Sequence, residues 1–129
     1  MVSVRLSARR RNWLLIALAI AAAIFLQSSR PSPDLGSASA GELASMIAHL
    51  TLYASLAFAL VNALSNPRLA AVAGMALLAL VYGVSDEVHQ SFVDARTGSL
   101  GDVGLDAIGS AAGALLGRRW LMGHGRPTG

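Results

Sequence analysis

Four long apolar stretches set the strongest limit on how this chain can fold. A bilayer core about 30 Å thick is crossed by roughly 20 apolar residues in helical conformation. The stretches predict membrane-spanning helices at 13–29, 43–64, 69–88 and 103–122. We therefore expect an all-α fold, namely a polytopic integral membrane protein built as a four-transmembrane-helix bundle. The whole chain, residues 1–129, is predicted to form a single membrane domain.

Prolines mark the breaks between the apolar stretches. Pro31 and Pro33 separate the first stretch from the second, and Pro67 separates the second from the third, because proline lacks the amide proton that a helix interior needs. The segment 89–101 is predicted to be the long connection before the last helix, and residues 123–129 a disordered tail. A small-x-small motif at 38–40 lies too far past the first stretch for ordinary signal cleavage. We expect a retained anchor, with cleavage left open.

Composition excludes several classes of protein. Only 13% of the residues are charged, against about 25% in soluble domains. The chain has no cysteine, which excludes disulfides, thiolate metal sites and cysteine nucleophiles. The isoelectric point is near 10.6, but the arginines lie at the ends of apolar segments rather than along one basic surface. We therefore expect no nucleic-acid partner.

The distribution of charge predicts an orientation. With the N-terminus in the cytoplasm, every one of the ten basic residues except Arg30 and Arg96 falls on the inner side, as the positive-inside rule requires. Trp13 and Trp120 then lie at the inner interface, where indole rings prefer to sit. The acidic residues all fall at the outer side. We expect both termini to be cytoplasmic.

Polar residues recur at helical spacing near the outer ends of the last three stretches. His49 and Tyr53 are four residues apart, and so are Asp102 and Asp106, so each pair shares a helix face. Ionisable residues at membrane depth usually face a bundle interior or a cavity. We predict an outward-facing polar pocket whose ligand-binding residues are His49, Tyr53, Asp86, Glu87, His89, Gln90, Arg96, Asp102 and Asp106. Simple interfacial solvation, with Arg96 pairing Asp86 or Asp102, remains the alternative.

Three glycines follow the acids of the last stretch. Gly109, Gly113 and Gly117 form a small-xxx-small stripe, which allows a neighbouring helix to approach closely. We predict a helix-packing role for them. Because Asp106 lies three residues before Gly109, the same stripe turns Asp106 toward the bundle.

The polar residues permit more than one chemistry. Histidine and carboxylates suit zinc, manganese or iron, but their spacing matches no metal-binding signature, so we predict no metal and no cofactor. His49 is the first candidate for acid–base work. No nucleophile elbow or phosphate-binding loop is present. The catalytic residues, and whether the protein is an enzyme, stay open.

The segment 82–113 reads YGVSDEVHQSFVDARTGSLGDVGLDAIGSAAG. It resembles the VanZ-like family of bacterial membrane proteins. The matching positions, together with the upstream pair His49 and Tyr53, are Glu87, Gln90, Phe92, Arg96, Asp102, Asp106, Gly109 and Gly113. Two departures stand out. Asp94-Ala95-Arg96 replaces the family's Pro-Gly-Arg turn, and Ser45-Met46 replaces an Asp-Lys pair.

The resemblance implies a multi-pass protein of the bacterial cytoplasmic (inner) membrane. The family's founding member is associated with resistance to the glycopeptide teicoplanin. Our leading hypothesis is a cell-envelope protein whose polar pocket engages a lipid or glycolipid component. In it, Arg96 contacts phosphate or carboxylate and is oriented by Asp102 and Asp106, while His49, Glu87 and Gln90 complete the pocket.

Two alternatives stay open beside it. One is a membrane-embedded enzyme, acid–base or metal-dependent, acting on a lipid-linked substrate. The other is a small transporter or structural helix bundle. Because four helices enclose little volume, transport would need a homo-oligomer.

Overall fold

The computed structural model describes residues 6–31, 38–94, 96 and 98–124. They form four helices: α1 (Ala8–Ser28), α2 (Ala38–Asn62), α3 (Leu69–Gln90) and α4 (Leu100–His124). No strand occurs within these residues. The predicted all-α fold with four helices is therefore confirmed.

Three of the described helices are long and apolar enough to cross a membrane. They are Ala8–Ser28, Ala40–Asn62 and Leu69–Gln90. The chain is thus a membrane protein by helix length and composition. Helix α4 has a comparable length of 25 residues, but it is less apolar because it carries two aspartates near its start and two arginines near its end.

Helix ends extend past the apolar stretches that predicted them. Helix α1 begins before Trp13 because the Ser7 side chain accepts a hydrogen bond from the Arg10 amide at 3.4 Å, which caps the helix. Helix α4 continues through Gly123 and His124. These two residues were expected in a disordered tail and are helical instead, while 125–129 lie outside the described residues.

Helix α2 lies at the centre of the bundle. It contacts each of the other three helices and packs most extensively against α4. Its buried side chains include Tyr53, Leu56, Ala57, Ala59 and Val61. The outer surfaces of the helices carry many exposed leucines and valines, which suits contact with lipid chains rather than water.

Helix α4 lies directly against the backbone of α2. A Cβ atom added at Gly109 would lie 2.7 Å from the carbonyl oxygen of Leu50, and one added at Gly117 would lie 3.0 Å from that of Phe58. At Gly113 the added atom would overlap the Ala54 carbonyl outright. The three glycines therefore permit the close approach that places Asp106, with no solvent-exposed surface, inside the bundle.

Arginines fasten the opposite end of the bundle. Arg9 Nη1 donates to the Asn62 carbonyl at 2.6 Å, and Arg10 Nε donates to the Ala63 carbonyl at 2.8 Å. These carbonyls lie at the C-terminal end of α2 and just after it, where a helix offers them no further backbone N–H donors. At the same end the Trp13 and Trp120 rings pack edge-on with centroids 5.4 Å apart.

Candidate functional site

The site is built around a buried pair that joins α2 to α4. His49 Nδ1 lies 2.7 Å from Asp106 Oδ1. His49 is 9% exposed and Asp106 is fully buried. Since the carboxylate of an ionised Asp106 can only accept, Nδ1–H is the donor, and in the neutral imidazole Nε2 then keeps its lone pair. The contact fixes both the tautomer and the orientation of the imidazole.

Two further carboxylates face the free nitrogen of His49. Nε2 lies 3.9 Å from Glu87 Oε1 and 3.8 Å from Asp102 Oδ2. Both separations are too long for a hydrogen bond. We refer to His49, Glu87, Asp102 and Asp106 as the polar cluster. Helices α2, α3 and α4 all contribute to it, and the Asp102 side chain, at 25% exposed, forms its open edge.

The cluster has a composition that suits a metal ion. One potential ligand atom from each of His49, Glu87 and Asp106 lies within 4.8 Å of the other two. All three residues are buried. The sequence spacing gave no metal signature because the three residues come from three different helices.

Glu87 is held by the segment that precedes α4. Its Oε2 accepts a hydrogen bond from the Ser99 amide at 2.8 Å. The Ser99 hydroxyl in turn accepts from the amides of Gly101 and Asp102, at 3.1 and 3.3 Å. Ser99 therefore both caps α4 and positions Glu87. The contact of Ser99 with Glu87 was not predicted from the sequence, because it uses the backbone amide and so does not depend on the type of residue.

Asp86 belongs to a second network, which a long contact of 3.5 Å from Gln90 Nε2 to Glu87 Oε1 joins to the polar cluster. Its Oδ2 accepts from Gln90 Nε2 at 2.9 Å, and Gln90 Oε1 accepts from Arg96 Nη1 at 3.0 Å. Arg96 also donates through Nε to the Arg30 carbonyl at 2.8 Å and through Nη2 to the Gln27 carbonyl at 3.1 Å. Arg96 thus fastens the α3–α4 connection to the end of α1.

The partners of Arg96 differ from those expected. The ion pairs within the described residues do not include Arg96 with Asp86, Asp102 or Asp106. The guanidinium instead binds the carbonyls of Gln27, in the last turn of α1, and of Arg30, just after the helix. Arg96 therefore acts on Asp86 only through Gln90.

The predicted site residue His89 turns toward α1, and so does Tyr82, which was not predicted to belong to the site. His89 Nε2 lies 3.0 Å from Ser29 Oγ, and its ring stacks on Phe25 with centroids 4.9 Å apart. His89 is therefore directed away from the polar cluster. Tyr82, on the same helix, donates its hydroxyl proton to the Ala21 carbonyl at 2.6 Å.

Tyr53 lies beneath the cluster. Its ring is nearly parallel to that of His49, with centroids 6.2 Å apart, and it is 1% exposed. A Cβ added at Gly83 would lie 2.7 Å from Asp106 Oδ2 and 3.1 Å from Tyr53 Cε1, so Gly83 makes room for both. Sequence reasoning missed Gly83. Gly83 could have been identified from the sequence, because it lies four residues before Glu87 and therefore on the same helix face.

The comparisons with known proteins agree with the resemblance found in the sequence. A family model described as VanZ/LLP1 matches residues 13–121. No curated protein and no solved structure shows significant similarity to the chain. Because the family match covers most of the chain and all of the polar cluster, the chain belongs to the VanZ/LLP1 family.

Proposed function

We propose that the protein crosses the bacterial cytoplasmic membrane four times, with both termini in the cytoplasm. Helix α4 supports a fourth span, because its 25 residues extend about 37 Å at 1.5 Å per residue. Ile108, Leu115 and Leu116 on this helix are more than half exposed, as residues facing lipid would be. The arginines gathered at the opposite end from the polar cluster support a cytoplasmic placement of that end.

In this arrangement the polar cluster engages the head group of a lipid or glycolipid of the cell envelope. The observation that carries the proposal is the convergence of three helices on His49 at one end of an otherwise apolar bundle. A membrane lipid brings its head group to that depth without leaving the bilayer. Asp102, at the open edge, is the residue that an approaching head group would meet first.

The chemistry of the cluster favours a head group rich in donors. Carboxylates accept hydrogen bonds, so sugar hydroxyls or amines suit Glu87 and Asp102. Three N–H donors of Arg96 already bind protein acceptors. We therefore propose that Arg96 holds the edge of the site in place. The link to teicoplanin resistance implied by the family resemblance belongs to this proposal, since that drug acts on the envelope.

Binding of a glycosyl diacylglycerol by the purified protein in detergent tests the proposal. The matched diacylglycerol, which has the same chains and no head group, serves as the reference lipid. We expect preference for the glycolipid, with a loss of about tenfold in Asp102→Asn, or about 1.4 kcal/mol. Asp94→Asn is the control, since Asp94 is an exposed acid at the same end. Equal binding of both lipids would reject the proposal.

A second candidate function is acid–base catalysis on a lipid-linked substrate. It is favoured by the 2.7 Å contact between His49 and Asp106, because a carboxylate that holds Nδ1–H leaves Nε2 as a general base. Head-group binding that survives in His49→Gln, with loss of substrate conversion in lipid extracts of cells, would support catalysis. Unchanged lipid composition in cells with and without the protein would count against it.

A further inference from the structure

We propose that the polar cluster is a divalent metal site in which His49 Nε2, Glu87 and Asp102 are the ligands and Asp106 orients the imidazole. The metal would use the Glu87 and Asp102 carboxylates that the proposed function assigns to the head group, but it needs only residues of this chain, so the two kinds of binding can be measured separately. The starting observation is that Nε2 of His49, whose side chain is 10% exposed, has no hydrogen-bond partner among the described residues, yet is directed at two carboxylates.

The distances around Nε2 suit ligands of a shared ion better than direct contacts. Metal–ligand bonds of about 2.1 Å at tetrahedral angles place neighbouring ligand atoms about 3.4 Å apart. The observed separations are 3.9 Å to Glu87 Oε1 and 3.8 Å to Asp102 Oδ2. Each carboxylate would need to approach Nε2 by about half an ångström, and Asp102, which lies outside the group of ligand atoms within 4.8 Å of one another, would also need to move toward Glu87. Asp102 is free to do so because its side chain is the most exposed of the cluster.

Asp106 fits the role of an orienting carboxylate. Histidine ligands usually donate their second ring N–H to a carboxylate, which fixes the tautomer and makes the other nitrogen a better ligand. The 2.7 Å contact between Nδ1 and Asp106 Oδ1 is such a hydrogen bond. The group of potential ligand atoms within 4.8 Å of one another comprises His49, Glu87 and Asp106, without Asp102. Because Asp106 Oδ1 is already engaged on the far ring nitrogen, we assign the third ligand position to Asp102.

The charge of the cluster supports a cation. Glu87 and Asp106 are buried acids, at 6% and no exposure, and buried charges are normally paired or bound to metals. Arg96, one of the two arginines at this end of the bundle, donates to Gln90 and to backbone carbonyls rather than to these acids. A divalent ion at Nε2 would balance the carboxylates that Arg96 leaves unpaired. Imidazole with carboxylates suits zinc, manganese or iron.

Zinc titration of the purified full chain tests the site. The protein carries an affinity tag without histidine, is stripped with chelator in detergent, and is titrated with Zn²⁺ by calorimetry, with the bound metal counted by elemental analysis. We expect one Zn²⁺ per chain. Asp106→Asn should bind about 10–100-fold more weakly, the usual cost of losing an orienting carboxylate.

Matched variants separate this site from incidental binding. His49→Gln should lose the ion, whereas His89→Gln should keep it, because His89 faces Ser29 and Phe25 on α1. If His49→Gln does not fold, as judged by circular dichroism, Glu87→Gln and Asp102→Asn provide the same comparison. Absence of stoichiometric Zn²⁺ in the wild type, or equal loss in His89→Gln, would overturn the proposal. Glycolipid binding measured in chelator is a separate readout, so each proposal can fail alone.

Discussion

His49 Nδ1 and Asp106 Oδ1 lie 2.7 Å apart across the interface of α2 and α4. The two residues are 57 positions apart in the chain, and their contact lies where the stripe of glycines brings the two backbones together. Packing and polar chemistry are therefore coupled. A change in helix separation would alter the site, and loss of the polar pair would weaken the helix contact.

Removal of the Asp106 carboxylate should destabilise the bundle. Asp106→Ala leaves a buried imidazole N–H without its acceptor, which costs about 1–3 kcal/mol. Unfolding in mixed detergent micelles measures the loss. Asp102→Ala is the control, because Asp102 has no atom within hydrogen-bond distance of His49 and its place in the first turn is worth less than about 1 kcal/mol. Equal losses in the two variants would contradict the assigned hydrogen bond.

The glycines of α4 offer a second, internal comparison. Gly113→Ala forces a methyl group into the Ala54 carbonyl, so α2 and α4 must separate, at a cost of about 1–3 kcal/mol. Gly104→Ala meets no atom within 4 Å and should stabilise the helix by up to about 1 kcal/mol. Thermal unfolding in detergent should move in opposite directions for the two variants. A shift of the same sign in both would mean that helix propensity alone decides their effect.

The sequence allowed the helices to be predicted because apolar length and proline breaks are local signals. The exact first and last residues of the helices were harder to predict. Ser7 and Ser99 each cap a helix through a single hydroxyl, and hydropathy does not detect such a contact. The disordered tail was predicted to begin at Gly123, because this glycine was interpreted as the end of the last helix. Helix α4 instead continues to His124.

The four residues of the polar cluster were among the residues predicted from the sequence, but their pairings could not be predicted. Helical spacing placed His49 and Asp106 on inward faces, yet their partnership depends on the register between α2 and α4, which no local pattern records. For the same reason Arg96 was assigned to the acids, whereas it donates to carbonyls at the end of α1. His89 was predicted to join Gln90 in the site, but its ring stacks on Phe25 of α1 instead.

The contacts of Arg96 predict a role in holding the α3–α4 connection closed. Arg96→Ala removes hydrogen bonds to Gln90, to the Gln27 carbonyl in α1 and to the Arg30 carbonyl just after it. A loss of about 1.4 kcal/mol would raise the population of the open connection about tenfold. Chymotrypsin cleavage after Phe92, which is 83% exposed, reports this opening. Arg68→Ala, an exposed arginine at the opposite end, should leave the rate unchanged. An unchanged rate in Arg96→Ala as well would show that the connection is held by other contacts.

The proposed orientation can be tested because the chain has no natural cysteine. Leu100, at the start of α4 beside the polar cluster, is 93% exposed. Leu100→Cys should react with a membrane-impermeant maleimide on intact cells. Ser65→Cys lies in the exposed connection between α2 and α3 at the arginine end and should react only after the membrane is broken, because arginine-rich ends stay in the cytoplasm. The reverse pattern would place the polar cluster at the cytoplasmic face. Its ligand would then have to come from the inner leaflet, and a direct role in glycopeptide resistance at the cell surface would be excluded.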